Sequence, residues 1–259
     1  MPSYQNVTVQ RSGDFATVTM DNPGKRNALS RAALDELLAA FTEIGDSNVL
    51  GVVLAANGPV FSAGHDFADV ADHDHASVRA LLVTCTRLME LLQQIPQPVV
   101  ARVHALATAA GCQLVASCDL AVAAESAGFC LPGGKGGWFC HTPAVAVARN
   151  VGRKRAMEMA LSGDIVSAAT AADWGLVNRV VPDEQLDSAV QDLLERVTRG
   201  SSESKGLGKQ AFYAQVDLDQ PKAYAYAVEV MAAASQLDDA VEGTHAFLAK
   251  RKPEWKRGR

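Results

Sequence analysis

Alternation of apolar and polar residues opens the chain. NVTVQ at residues 6–10 and ATVTM at 16–20 each alternate over five positions, the period of a strand with one face buried. Arg11, Ser12, Gly13 and Asp14 between them form a turn rich in residues that tolerate unusual backbone angles, so the pair reads as a hairpin. Asn22-Pro23-Gly24-Lys25-Arg26-Asn27 breaks the sheet, and Ser30 offers an N-cap to an amphipathic helix that carries Phe41 and Ile44. LGVVLAA at 50–56 is apolar throughout but too short for a typical helix, which predicts a strand covered on both faces. A long helix over about 77–94 follows, then a strand opened by Pro98 (PVVARV). The alternation goes on with a helix over AAGCQLVASC, a strand LAVAA, helices over 153–162 and 168–174, and a strand VNRVV. Beyond Asp183 only helical periodicity remains. The chain therefore reads as an α/β core of βαβ-type units over 1–195, with a helical C-terminal module over 196–259.

Bulk properties narrow the function classes. With 259 residues, 48% of them hydrophobic, the chain can bury a substantial core. A net charge of −5 disfavours nucleic acid as the main partner. The basic run Lys250-Arg251-Lys252-Pro253-Glu254-Trp255-Lys256-Arg257 is either a solvated tail or a patch for an anionic ligand. Five cysteines (Cys85, Cys112, Cys118, Cys130 and Cys140) without regular spacing, and an N-terminus lacking a basic then apolar stretch, point to a reducing cytoplasm. No window approaches the ~20 apolar residues of a membrane span. The histidines have no zinc-ligand spacing, and His73-Asp74-His75 beside an acidic segment reads as exposed loop rather than metal site. No GxGxxG is present, and Gly133-Gly134-Lys135-Gly136-Gly137 lacks the Ser or Thr that follows the lysine of a phosphate loop, so no nucleotide cofactor is expected.

Two segments carry the chemistry. FSAGHDF at 61–67 and HALATAAGCQLVASCD at 104–119 each bring small residues to a turn, and Ala109-Ala110-Gly111 stand where a helix begins. Backbone N–H groups that approach a ligand closely, one of them backed by a helix dipole, suit the stabilisation of negative charge on a carbonyl oxygen. In this order and spacing the two segments resemble the paired oxyanion-hole segments of the crotonase (enoyl-CoA hydratase/isomerase) superfamily. The resemblance extends over nearly the whole chain, through NPGKRNAL at 22–29, EMALSG at 158–163, AADWGLV at 171–177 and FLAKRKP at 247–253. AAGCQLVASCD and the KRKP ending are similar to a glutamate-deficient subgroup named for its enoyl-CoA hydratase domain.

The resemblance implies a ββα spiral core with a helical C-terminal trimerisation module, and a homotrimer or dimer of trimers. It implies an acyl-CoA thioester as ligand, with coenzyme A part of the substrate and no further cofactor. The N–H groups of His65 and Ala110 become the donors to the thioester. Lys25, Ala63, His65, Phe67 and Ala110 become CoA-binding positions, and Phe247 and Lys250 reach the nucleotide, often from a neighbouring subunit. Family hydratases carry GGGCE and, some twenty residues on, PE. Here those glutamate positions read Gln113 and Gly133. An amide can orient a water but cannot take its proton, and glycine offers no side chain, so hydration is expected to be weak or absent despite a complete hole. Replacing both positions by glutamate would then return part of the rate. Trp138, Cys140 and His141 fall among pocket-lining positions. Cys140 is expected to pack, His141 is a candidate proton carrier, and the imidazole of His65 is another. Three functions fit: a nominal enoyl-CoA hydratase of fatty acid metabolism, a decarboxylase or thioesterase using the same hole, and an acyl-CoA carrier or regulator without turnover.

Overall fold

A computed structural model describes residues 4–256, so Arg257 of the basic run and the outermost three positions at either end of the expected core and module lie outside the described residues. The opening hairpin pairs β1 (Val7–Ser12) with β2 (Phe15–Met20) antiparallel, and the strands run on to a two-residue turn at Gly13-Asp14 instead of ending at Gln10. Gly13 has φ +58, as such a tight turn requires. Ser30 accepts the Ala33 N–H and caps α1 (Arg31–Gly45). The chain continues through β3 (Gly51–Ala56), α2 (His75–Gln94), β4 (Val99–Val103), β5 (Ala107–Thr108), α3 (Ala110–Ser117), β6 (Leu120–Ala124) and β7 (Gly128–Cys130). It then forms α4 (His141–Val151), α5 (Arg153–Ser162), β8 (Val166–Ser167), α6 (Ala168–Trp174), β9 (Arg179–Val181) and the helices α7 (Leu186–Thr198), α8 (Ser202–Gln215), α9 (Gln220–Ala234) and α10 (Asp238–Leu248). Helix α2 starts two residues before the expected 77 because Asp74, not a later residue, caps it through the Ser77 N–H.

The main sheet has the order β1-β2-β3-β4-β6-β9, parallel except at the opening hairpin. Its central strands are covered on both faces, which explains a sequence that is apolar apart from Arg102 of β4. Val52, Leu54, Val99, Ala101, Ala121 and Ala123 join the principal core with α1, α2 and α3. Val53, Ala55, Val100, Val122 and Ala124 face the other way, onto Leu186, Val190, Leu193 and Leu194 of α7. Helix α7 thus belongs to the sheet, and the expected boundary at 195/196 falls inside it. A smaller sheet, β5-β7-β8, stands beside the first and went unread because its strands are too short to show a period.

Helix α8 is bolted to the core by Lys209. Its ammonium, almost buried, reaches Asp119 Oδ2 (2.7 Å), the Leu92 carbonyl (2.7 Å) and the Gln97 carbonyl (2.8 Å). Asp119 also accepts the Val99 N–H at 2.6 Å and the Tyr213 hydroxyl. No residue of α9 is buried, and Tyr224, Val228 and Met231 stand exposed along it.

Candidate active site

The FSAG segment is stitched to the chain on both sides. Asn27, buried and at φ 50, donates its amide to the Asn57 carbonyl (2.7 Å) and the Val60 carbonyl (3.1 Å), while its Oδ1 accepts the Asn22 N–H. The Ala63 N–H donates to the Arg26 carbonyl, the Leu29 N–H to the Gly64 carbonyl, and the Thr108 N–H to the Ser62 carbonyl. Ser62 Oγ donates to the Asn27 carbonyl at 2.8 Å. Two glycines then allow contact between the segments. A Cβ on Gly64, at φ +83, would stand 3.0 Å from Ala109 Cβ and 3.2 Å from the Ala110 nitrogen, and one on Gly111 would stand 2.6 Å from the Ser62 carbonyl oxygen. Asn27 and Ser62 build the site, and sequence reading did not single them out. Asn27 lay inside the quoted NPGKRNAL, but its bonds reach thirty residues away.

The expected donors lie on the two sides of this contact. Ala110 is the first residue of α3, so its N–H has no intrahelical acceptor and sits at the positive end of the helix dipole. The N–H groups of Ala63 and Gly64 are engaged, whereas among the described residues neither the His65 N–H nor the Ala110 N–H has an acceptor. Ala109, just ahead, holds φ 50 and ψ −117, a conformation that costs a residue with a Cβ about 1–3 kcal/mol.

The imidazole of His65 packs against this contact. Its Nδ1 lies 3.3 Å from the Leu29 carbonyl, which can only accept, so Nδ1 carries the proton. Nε2 is shielded from solvent and, among the described residues, has no partner. Burial pushes the ring's pKa below its ordinary value, leaving it neutral at pH 7 with a free lone pair. Trp138 lies beside it, with ring centroids 6.3 Å apart, and meets Phe67 at 6.4 Å. Phe67 is 69% exposed. Lys25 pairs with Asp66 at 3.0 Å, beside His65, and the Ala68 N–H, helped by that pair, holds the Asp66 carboxyl below its ordinary pKa.

Gln113, one turn into α3, is buried, and among the described residues its Oε1 also lacks a partner. Gly133 is closed to side chains, since a Cβ there would stand 2.2 Å from the Trp138 carbonyl oxygen and 2.8 Å from Cys140 Sγ. The loop is folded back on itself, with the Trp138 N–H on the Gly133 carbonyl (2.9 Å) and the Gly133 N–H on Cys140 Sγ (3.3 Å). A side chain at 133 therefore requires the loop backbone to shift, which weighs against the expectation that two glutamates would return part of a hydration rate. Cys140 is buried and its thiol pKa is raised, so it packs rather than serving as a thiolate.

Other expected residues stand apart. His141 is exposed at the start of α4 with its ring 5.0 Å from that of Phe139, and among the described residues no contact joins it to His65, Ala110 or Gln113. Phe247, at the end of α10, is 82% exposed, and Lys250 follows it at φ 53. Neither touches the hole within one copy of the chain. Among the described residues no group of three or more His, Cys, Asp or Glu side chains could hold a metal, and no helix is long and apolar enough to cross a membrane. A cavity of about 720 Å³ lies elsewhere, lined by Ser47, Gln97, Lys205 and Asp238 among others.

A spiral α/β core with two unengaged backbone N–H groups at a glycine-mediated contact defines the class. The chain belongs to the enoyl-CoA hydratase/isomerase family, whose model matches residues 10–258, and so to the crotonase superfamily. Within it the chain is similar to the mitochondrial enoyl-CoA hydratase domain-containing protein 3 of Mus musculus, 42% identical over 98% of this chain and 85% of that one. Among solved structures it resembles an enoyl-CoA hydratase of Mycobacterium smegmatis (43% identity, TM-score 0.93, covering 97% of this chain and 99% of that one). It also resembles human enoyl-CoA hydratase domain-containing protein 3 (39% identity, TM-score 0.92, covering 97% and 100%). The cytoplasmic compartment expected from the cysteines finds no counterpart in the mitochondrial name of the mouse relative.

Proposed function

We propose that this chain binds an acyl-CoA thioester with the carbonyl oxygen between the N–H groups of His65 and Ala110, and that it hydrates enoyl-CoA slowly or not at all. One observation carries the reading. The two N–H groups come from segments that Gly64 and Gly111 hold in contact, and among the described residues neither has an acceptor. Preorganised donors of this kind are worth about 2.7–4 kcal/mol each to a developing oxyanion. The residues that stand at the family's glutamate positions, Gln113 and Gly133, cannot exchange a proton with water.

Lys25, Ala63 and Phe67 flank the hole and would hold the pantetheine and adenine. Phe247 and Lys250 would serve a neighbouring copy in a homotrimer or dimer of trimers, an assembly supported by the exposed apolar residues of α9 and by Phe212 on α8. A second reading, thioester hydrolysis, is favoured by the neutral, unpartnered Nε2 of His65, which could take a proton from water. Calorimetric titration with CoA and butyryl-CoA, beside a turnover assay on crotonyl-CoA, tests the reading. Butyryl-CoA should bind more tightly than CoA, and Ala110→Pro, which deletes one donor, should erase that preference. Equal affinity for the two ligands in the unmodified protein would refute it.

A further inference from the structure

The basic run that follows α10 is fastened to its own chain. Arg251 sets both terminal guanidinium nitrogens on Glu242, at 2.6 Å to Oε1 and 2.7 Å to Oε2, and the Glu254 N–H donates to Oε1 at 2.8 Å. Asp239, buried on the first turn of α10, accepts the Lys256 N–H at 3.0 Å and the Ser201 hydroxyl, and Asp238 pairs with the Lys256 ammonium. Trp255 covers Gly243, where a Cβ would stand 3.2 Å from its ring. The chain therefore returns along the helix it has just left, as a strap tied at Asp239 and Glu242.

This arrangement leaves Lys250 unspent. Helix α10 ends in a Schellman turn, with the Arg251 N–H on the Ala246 carbonyl (3.0 Å) and the Lys250 N–H on the Phe247 carbonyl (3.1 Å). The residue such a turn puts at left-handed angles is usually glycine, yet here it is Lys250, at φ 53. Strain of that kind persists only where the surroundings impose it, and the fork between Arg251 and Glu242 closes on the very next residue. Arg251 first, then the Glu254 N–H, holds the Glu242 carboxyl down at about 2, so the fork is intact at neutral pH. Lys250 is exposed and among the described residues has no acidic partner, and Phe247, three residues earlier, is exposed as well. A bare ammonium beside an open aromatic face suits a phosphorylated heterocycle.

We infer that Glu242 is a positioning residue, whose fork with Arg251 holds the strained turn that aims Lys250, beside Phe247, at the phosphorylated end of an acyl-CoA on a neighbouring copy. The inference rests on the reading that Phe247 and Lys250 serve a neighbour's CoA, and adds the residues that hold them ready. Arg251, with both terminal nitrogens committed to Glu242, shapes the turn and does not bind the phosphate.

Calorimetric titration of the full chain with butyryl-CoA and with butyryl-pantetheine, which lacks the nucleotide, tests it. Butyryl-CoA should bind the parent at least about tenfold more tightly. Lys250→Gly should lose most of that ratio while its Tm rises by roughly 2–4 °C, because glycine relieves the left-handed strain. Glu242→Gln, and Arg251→Lys, which keeps the charge but not the fork, should each cut the ratio to about threefold or less and leave butyryl-pantetheine affinity unchanged. Equal binding of the two ligands by the parent would overturn the nucleotide reading and the inference with it. If Lys250→Gly loses the ratio while Glu242→Gln and Arg251→Lys keep it, the nucleotide reading stands and the inference fails. A ratio that rises in Glu242→Gln would also overturn the inference, since the freed Arg251 would then be the phosphate ligand.

Discussion

Grafting a glutamate at residue 133 gives the sharpest test of how the loop after β7 is built. A Cβ there would stand 2.2 Å from the Trp138 carbonyl oxygen, so backbone must move by about 1 Å before ordinary contact distance is reached. That movement pulls on the Trp138 N–H bond to the Gly133 carbonyl and on the Gly133 N–H contact with Cys140 Sγ. Losing one such bond costs about 1 kcal/mol, and forcing volume into a packed site about 1–3 kcal/mol more. Gly133→Glu should therefore destabilise the chain by about 2–4 kcal/mol, a Tm drop of roughly 4–16 °C for a chain of this size. Scanning calorimetry measures the drop, and crotonyl-CoA consumption measures any gained hydration. Adding Gln113→Glu should not rescue the rate, because the new carboxylate at 113 would be buried without a cation. A Gly133→Glu protein that melts with the parent and hydrates crotonyl-CoA would refute the steric argument, since the loop would then open freely.

Three further outcomes follow from the same geometry. Ala109→Gly should raise stability by about 1 kcal/mol in urea unfolding, as relief at φ 50 outweighs the extra freedom of an unfolded glycine. A loss of stability would show that the Ala109 methyl contributes more by packing than it costs by strain. Lys209→Met strands the buried Asp119 carboxylate and two carbonyls, and should cost about 3–5 kcal/mol, with Asp119→Asn in the same chain returning part of it. His65 has a folded pKa held below 6.5 by burial, so the unfolded chain binds more protons in that window. Stability should consequently fall as pH drops from about 6.5 toward the folded value, with a shallower slope in His65→Phe.

How much of this was legible in the sequence depended on how local each cause was. Strands β3 and β6 were readable because burial on both faces leaves an unbroken apolar run, and β4 because only Arg102 interrupts one. Ser30 announced α1 through a cap that acts over three residues. The two segments of the proposed hole were readable because small residues and a helix start leave a local mark. Features made by distant partners left none. The Lys209 to Asp119 pair joins residues ninety apart, and nothing near either one distinguishes it from a solvated charge. The unpartnered Nε2 of His65 depends on a carbonyl at Leu29, and the closure of Gly133 on a loop that doubles back. His141 beside Cys140 looked chemical in sequence, yet the start of α4 exposes the ring against Phe139. The expected boundary at 195/196 cut through α7 because a helical period does not reveal which surface a helix covers or where it ends.

Polarisation of a thioester carbonyl by the His65 and Ala110 N–H groups is observed directly by difference infrared spectroscopy of bound butyryl-CoA labelled with carbon-13 at that carbonyl. The carbonyl stretch should move to lower frequency on binding, with most of the shift lost in Ala110→Pro. A bound thioester whose carbonyl band keeps its free-solution frequency would contradict the account.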